Sequence, residues 1–385
     1  MPIAAIAAER GSGAGSTAIA DMLAATAAET RADVVITTGG LGPTADDVTK
    51  RIAAKVAGQE LVMFPEAEAM VRRRFEEMGK DMTENNLAQA MFTPDSILLP
   101  NACGTAPGAI VPMGEGKVVI HLPGPPYELQ PMFIDQVEPW LQERSGKKLV
   151  SRYIRVFGMG ESAVDEIMRD LEDSGNPTLS PYCGMGEMML RATAAAETAE
   201  EASAMLEPLV REVCSRLGDV VYAVEADENG SLAKSTVEAL LAKKWTVATC
   251  ESLTGGMIAA TMAEVPGASA AVRGGLVTYQ TDTKTVLAGV PAETIERCDV
   301  VSAEVAMGMA QGVRNVLGVD IAVSATGLAG PGGGTEERPV GTVFLGLSTK
   351  DGTRAIPLHL SGSRERIRTL AMKNALNAVR TEALK

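Results

Sequence analysis

The chain has 385 residues, 46% of them hydrophobic, with 35 Lys plus Arg against 49 Asp plus Glu and a formal net charge of −14. That length exceeds what one core sustains, so several separately cored domains are expected, and the negative charge repels a phosphate backbone, which argues against nucleic acid as a partner. No run approaches the roughly 20 apolar residues of a membrane span, and the start MPIAAIAAER lacks the basic region of a signal peptide, so the sequence reads as cytoplasmic with no membrane partner.

Residues 1–20, with GSGAGS, read as flexible coil. From Asp33 to about Arg144, β-branched runs (DVVITT, SILLP, KVVIHLPG) alternate with helical stretches (VTKRIAAKVAG, EAEAMVRRRFEEMG, YELQPMFIDQVEPWLQER), the rhythm of an α/β layer fold. This predicts a first domain over 1–149. Residues 150–226 predict a small α+β domain: strand RYIRVFG, helix ESAVDEIMRDLE, strand GEMMLRATAAA, helix AEEASAMLEPLVREVCSRLG. After the acidic linker VEADENGS a third domain, 227–385, alternates helices (LAKSTVEALLAKK, GGMIAATMAEV, SAEVAMGMAQGVRNVLG) with strands (WTVATC, GGLVTYQ, IAVSATG, VGTVFLGLST) and closes with helix RERIRTLAMKNALNAVRTEAL. The fold class is therefore α/β with a small α+β insert between two α/β domains. No repeat of solenoid period occurs.

Histidine and cysteine are scarce. His121 and His359 lie in apolar strand-like runs and read as structural residues. Cys103, Cys183, Cys214, Cys250 and Cys298 are scattered and unpaired in sequence, so they read as reduced thiols. Neither H-x-E with P-C-x-x-C nor G-x-S-x-G is present, which excludes a zinc deaminase and an elbow-type hydrolase.

Chemistry must therefore come from the loops at strand ends. T-T-G-G-L-G-P-T-A-D-D, residues 37–47, places Gly39, Gly40, Gly42 and Thr44 after a strand, a turn whose amides suit a phosphate, with Asp46 and Asp47 positioned for a divalent metal. A plain strand-to-helix turn explains the same residues equally well. L-P-G-P-P-Y-E-L, residues 122–129, supplies a second rigid loop through Pro123, Gly124 and Pro125. In C-E-S-L-T-G-G, residues 250–256, Ser252 or Thr254 alone would serve as a helix cap. The density of Glu251, Ser252, Thr254, Gly255 and Gly256 suits instead a nucleophile beside backbone donors. The loop Y-Q-T-D-T-K presents Tyr279 and Lys284, the latter of a type that is usually a solvated charge, and A-T-G-L-A-G-P-G-G-G-T presents Thr326, Gly327 and Gly330. Serine, lysine and a glycine-rich cradle without usable histidine point to a Ser-Lys hydrolase. The bare S-x-x-K pairs Ser145/Lys148 and Ser231/Lys234 read as chance.

Six boxes in order, TGGLGPTADD, MTENN, LPGPPYELxPMF, CESLTGG, YxxxxK and ATGLAGPGGGT, resemble the CinA family of bacterial competence/damage-inducible proteins from about Ile19 to the C-terminus. The resemblance implies a molybdopterin-binding-like α/β domain, a KH-like α+β domain and a C-terminal CinA domain that hydrolyses the carboxamide of nicotinamide mononucleotide in pyridine-nucleotide recycling. It implies Ser252 as nucleophile, Lys284 as base, Tyr279 as a further active-site residue, and Glu251, Thr254, Gly255, Gly256, Thr326, Gly327 and Gly330 at the substrate, without a cofactor. For the N-terminal domain it implies ADP-ribose pyrophosphatase chemistry with a divalent metal. The expected partners are small nucleotides and a second copy in a homodimer; a nucleotide-binding sensor without turnover is the rival reading.

This sequence departs from the family pattern in three places. Leu253 replaces a cysteine of S-C-T-G-G, and Gln280 and Thr281 replace Ser and Asn of Y-S-N-x-x-K. The opening strand, its loop and the following helix look absent, leaving the first domain short by one βα unit. The middle domain lacks a G-x-x-G loop and reads as a packing or dimerisation module.

Overall fold

The computed structural model describes residues 3–7, 32–114 and 116–385. They divide into two compact units, Met1–Lys148 and Leu149–Lys385. Among the described residues no helix is long and apolar enough to cross a membrane.

The first unit holds a five-stranded sheet in the order β1-β2-β7-β6-β5, with β1 Ile3–Ala7, β2 Val34–Thr38, β5 Ile97–Leu99, β6 Gly108–Gly114 and β7 Lys117–Leu122. β1, β2 and β7 run parallel, whereas β6 and β5 are antiparallel additions. The expectation of coil and a missing opening strand is thus corrected, because Ile3–Ala7 pairs in register with Val34–Thr38. Its sequence, IAAIA, has too little β preference to announce a strand, and a partner some thirty positions away supplies the pairing. The expected missing loop and helix fall outside the described residues.

Alternate residues of the central strands are buried on opposite faces, as a sheet covered on both sides requires. Val35, Val111 and Val119 pack with Ile52 of α1 (Thr49–Val56) and Ala67 of α2 (Pro65–Glu77). Val34, Ile110 and Ile120 pack with Met132 at the end of α3 (Pro126–Met132) and with Val137 just before α4 (Glu138–Ser145). A small ladder, β3 (Val62–Met63) with β4 (Met91–Phe92), lies beside them.

The second unit contains two sheets. The small one has the order β11-β8-β10-β9, formed by β8 Lys148–Phe157, β9 Thr178–Gly184, β10 Glu187–Ala196 and β11 Val221–Glu225. Ile154, Val156, Leu190 and Ala192 face Val164 and Met168 of α5 (Glu161–Glu172) and Leu206 and Val213 of α6 (Ala199–Leu217). Sequence reading identified four of these elements but assigned no strand to β9 or β11, whose sequences TLSPYCG and VYAVE carry little or no alternation.

The larger sheet has the order β13-β12-β14-β15-β16, from β12 Val247–Glu251, β13 Val272–Val277, β14 Ile321–Gly327, β15 Thr342–Thr349 and β16 Gly352–His359. On one face Val247, Ile321, Val323 and Leu345 pack with α7 (Leu232–Lys243), α8 (Met257–Ala263) and α12 (Arg364–Ala383). On the other, Ala248, Cys250 and Ala322 pack with Val305, Met309 and Val313 of α11 (Ala303–Leu317). The remaining helices, α9 (Thr281–Ala288) and α10 (Ala292–Cys298), link β13 to α11. Each such buried Val, Leu, Ile or Met side chain contributes roughly 1.5–3 kcal/mol.

The small sheet is fastened to the larger domain at the β9–β10 turn. Lys373 of α12 donates to Met185 O at 2.7 Å and pairs with Glu187 at 3.3 Å, while Phe157 and Tyr222 join the larger domain's core. Ser231 Oγ accepts from Lys234 N, so that S-x-x-K pair is a helix cap. All five cysteines are free thiols.

Candidate active site

In the larger sheet β12 is flanked by its two parallel neighbours, β13 and β14, and the chain leaves the carboxyl ends of the adjacent β12 and β14 in opposite directions, toward β13 and β15. Such a switch point opens a crevice in an α/β sheet. Ser252 follows β12 directly, its amide bonded to Ala325 O at 2.9 Å.

Lys284 reaches the same point. It lies in α9, not in a loop as the sequence reading had it, since the eight residues TDTKTVLA form a helix closed by Gly289. The side chain is 1% exposed, and Nζ lies 3.1 Å from Ser252 Oγ, 2.7 Å from Thr278 O and 3.5 Å from Gln280 O. Burial holds its pKa below the ordinary lysine value, against the opposing pull of Cys250 and Asp282. A neutral amine has two N–H donors and one lone pair. The two carbonyls suit the donors and leave the lone pair for the serine hydroxyl.

Several residues expected at the substrate are committed elsewhere. Glu251 is 0% exposed, and its carboxylate accepts from Gly256 N, Ile258 N, Ala259 N and Thr249 Oγ1 at 2.9–3.0 Å. It caps α8 and cannot touch a ligand. Gly255 N donates to Ser252 O and Gly256 N to Glu251, so neither amide is free to hold an oxyanion. Gly256 is needed for its backbone, at φ +97°. Thr326 is buried with its hydroxyl on Val300 O. Gly327 is required by packing, since a Cβ there would lie 2.7 Å from Thr342 O. Thr254 is buried and its hydroxyl has no partner. Gly330 remains at the site through its carbonyl, which accepts from Arg364 at 2.7 Å.

Sequence reasoning missed two arginines one turn apart on α12. Arg364 bridges Gly330 O and the hydroxyl of Tyr279, the latter at 2.9 Å, and Tyr279 is itself 54% exposed. Arg368 donates to Leu253 O at 2.9 Å and Thr254 O at 3.0 Å. The only signal was the basic start of the last helix, RERIR.

Three known family models match successive stretches of the chain. Residues 229–383 match the CinA C-terminal domain, 151–223 the damage-inducible protein CinA KH domain, and 13–143 a probable molybdopterin binding domain. A CinA-like protein of Dictyoglomus thermophilum is 44% identical over 351 residues, covering 91% of this chain and 84% of that protein. The chain belongs to the CinA family. A second relative, a protein of Acetivibrio thermocellus named for competence-damage inducibility, is 42% identical over 360 residues, 93% of this chain and 86% of its own. Among solved structures, the competence/damage inducible protein CihA from Agrobacterium tumefaciens is 35% identical, covers 40% of this chain and 94% of its own, and superposes with a TM-score of 0.39.

In the first unit of this CinA-family chain the two expected loops meet. Gly39 N donates to Leu122 O at 2.9 Å, and a Cβ on Gly124 would lie 3.3 Å from Gly39 Cα. Gly40, at φ +71°, lies against Thr49, whose hydroxyl donates to Gly39 O at 2.9 Å. Pro123 and Pro125 flank Gly124 before α3, and Gly42 sits against Asp47.

Asp46 and Asp47, the expected metal ligands, both turn toward Thr44. Thr44 Oγ1 lies within hydrogen-bond reach of Asp46 and, at 2.6 Å, of Asp47, its one proton serving either, and Thr44 N donates to Asp47 at 2.9 Å. The turn closes on its own carboxylates. Among the described residues no group of three or more His, Cys, Asp or Glu side chains is placed to hold a metal ion. His121 is buried against Thr37, Nδ1 to Oγ1 2.7 Å, and burial followed by the Lys50 charge lowers its pKa to about 3. It is a structural residue, as expected. Lys50, lowered to about 7 by burial, holds Ala88 O and Gln89 O at 2.7 and 3.0 Å.

Proposed function

We propose that the C-terminal domain hydrolyses the carboxamide of nicotinamide mononucleotide to nicotinate mononucleotide and ammonia. The observation that carries this reading is the buried Lys284 amine 3.1 Å from Ser252 Oγ at the carboxyl end of β12. Family membership supports it.

In the first step Ser252 Oγ bonds to the carboxamide carbon while its proton passes to Lys284 Nζ and the carbonyl π pair moves to oxygen. The C–N bond then breaks, its electron pair leaves with nitrogen, and that nitrogen takes the proton from Lys284 to depart as ammonia. Water attacks the acyl carbon, gives a proton to Lys284, and Ser252 is released when that proton returns to its oxygen. Arg364 and the Gly330 loop border the site and suit the anionic nucleotide portion.

In the first unit we propose phosphate binding where the Gly39–Gly42 turn meets Gly124, with no step assigned to a metal. The test of the amidase reading is ammonia release from nicotinamide mononucleotide by wild type and Ser252→Ala. Turnover lost in the variant supports it. A folded wild type that binds the nucleotide without releasing ammonia favours a sensor instead.

A further inference from the structure

The Gly255 and Gly256 N–H groups are already bonded within the loop. The four-residue turn contains two others, on Leu253 and Thr254, and neither donates a hydrogen bond among the described residues. Both residues are buried, at 4% and 0% exposure. A buried amide with no acceptor is rare in a native fold, and a pair of them beside a nucleophile calls for a chemical reason.

Their direction follows from what the carbonyls do. A trans peptide points its N–H opposite to its C=O, and the cis bonds among described residues lie elsewhere, at Asn176-Pro177 and Gly330-Pro331. Ser252 O is turned inward to Gly255 N, which sends the Leu253 N–H to the other side. Leu253 O is held at 2.9 Å by Arg368 Nε, which turns the Thr254 N–H away from α12. Arg368 Nη2 holds Thr254 O at 3.0 Å in the same grip. A guanidinium fork on two successive carbonyls fixes the Leu253–Thr254 and Thr254–Gly255 peptide planes, which follow the Leu253 amide in the turn, as a single ammonium cannot do.

We propose that the oxyanion is held by the Leu253 amide, and that Arg368, gripping the carbonyls on either side of Thr254, is the positioning residue that fixes the turn presenting it. The amide next after a nucleophilic serine is well placed for this task. The inference rests on the amidase reading for its substrate but not for its geometry, since any acyl transfer to Ser252 passes through the same oxyanion.

The test compares wild type, Arg368→Ala and Arg368→Lys on nicotinamide mononucleotide and, for Ser252 acylation, on 4-nitrophenyl acetate, with thermal melts to score folding. Loss of an oxyanion donor costs on the order of 100-fold or more in kcat. Arg368→Ala is expected to lose about that much kcat with KM within about twofold, Arg368→Lys to fall between, and added guanidinium ion to restore part of the alanine variant's rate. Guanidinium rescue separates positioning from a merely structural loss. A folded Arg368→Ala with full kcat, or with raised KM and unchanged kcat, overturns the proposal; the second result makes Arg368 a substrate ligand. Wild type silent on the nucleotide but acylated by the ester at Ser252 overturns the amidase reading alone, and the acylation rates of the variants then decide the proposal. No Ser252-dependent acylation with either compound overturns both.

Discussion

Replacing Glu251 with Gln tests the architecture that places the nucleophile. The carboxylate accepts two bonds on each oxygen, from Gly256 N and Ile258 N on Oε2 and from Ala259 N and Thr249 Oγ1 on Oε1. An amide keeps one accepting oxygen. Its least costly orientation leaves that oxygen on Gly256 and Ile258, lets the Thr249 hydroxyl rotate to accept, and sets the new NH2 against the Ala259 N–H. One buried donor then loses its acceptor, at about 1–3 kcal/mol, and the loss of negative charge at the start of α8 adds up to ~1 kcal/mol. A total near 3 kcal/mol in Leu149–Lys385, a unit for which each kcal/mol moves the midpoint by ~2–4 °C, predicts a melting shift of about 6–12 °C. Differential scanning calorimetry of the full chain reads it directly. A shift under ~2 °C would refute the capping role, because the four bonds would then contribute nothing net.

Lys284→Arg retains charge but cannot lose a proton, so ammonia release is expected to fall about 10²- to 10⁴-fold. In wild type kcat/KM rises with pH as Lys284 becomes neutral, with a midpoint below the ordinary lysine value of about 10.4; a midpoint at or above it would remove burial from the argument. His121 has a folded pKa of about 3 against an ordinary 6.5, so its contribution to stability is complete above pH 6.5 and is lost as pH falls toward 3. About 3 kcal/mol should disappear from the first unit between pH 6.5 and 4, and urea midpoints of His121→Gln should lack that slope. Gly40→Ala forces a side chain onto φ +71° with its Cβ 2.1 Å from Thr49 Oγ1, and is expected to lower the same unit's urea stability by about 1–3 kcal/mol. Lys373→Met breaks the contacts to Met185 O and Glu187 and should raise hydrogen exchange in the β9–β10 turn; unchanged exchange would show that core packing alone fastens the small sheet.

Local chemistry was enough to locate the loops. Glycine, proline and short hydroxyl side chains at the ends of β-branched runs mark chain reversals whatever surrounds them, so Gly39–Asp47, Pro123–Pro125, Ser252–Gly256 and Leu328–Thr335 were legible as loops. The helices with clear apolar periodicity, such as α5 and α6, were legible for a similar reason. What each polar group does was not, because that depends on partners distant in sequence. Glu251 and Ser252 are neighbours, yet the alternation of β12 turns one carboxylate into the core as a cap and leaves the hydroxyl half-buried beside Lys284. Lys284 meets Ser252 across 32 residues, and Arg368 reaches Leu253 across 115. The strand Ile3–Ala7 has its definition in Val34–Thr38 rather than in its own alanines. Sequence alone thus determined the domain classes, the turns and the family, all of which rest on local conformational preference and motif order. Tertiary structure decided which amides are spent, which lysine is dry and which arginine holds the nucleophile's loop, because desolvation and hydrogen-bond geometry exist only once distant segments have packed.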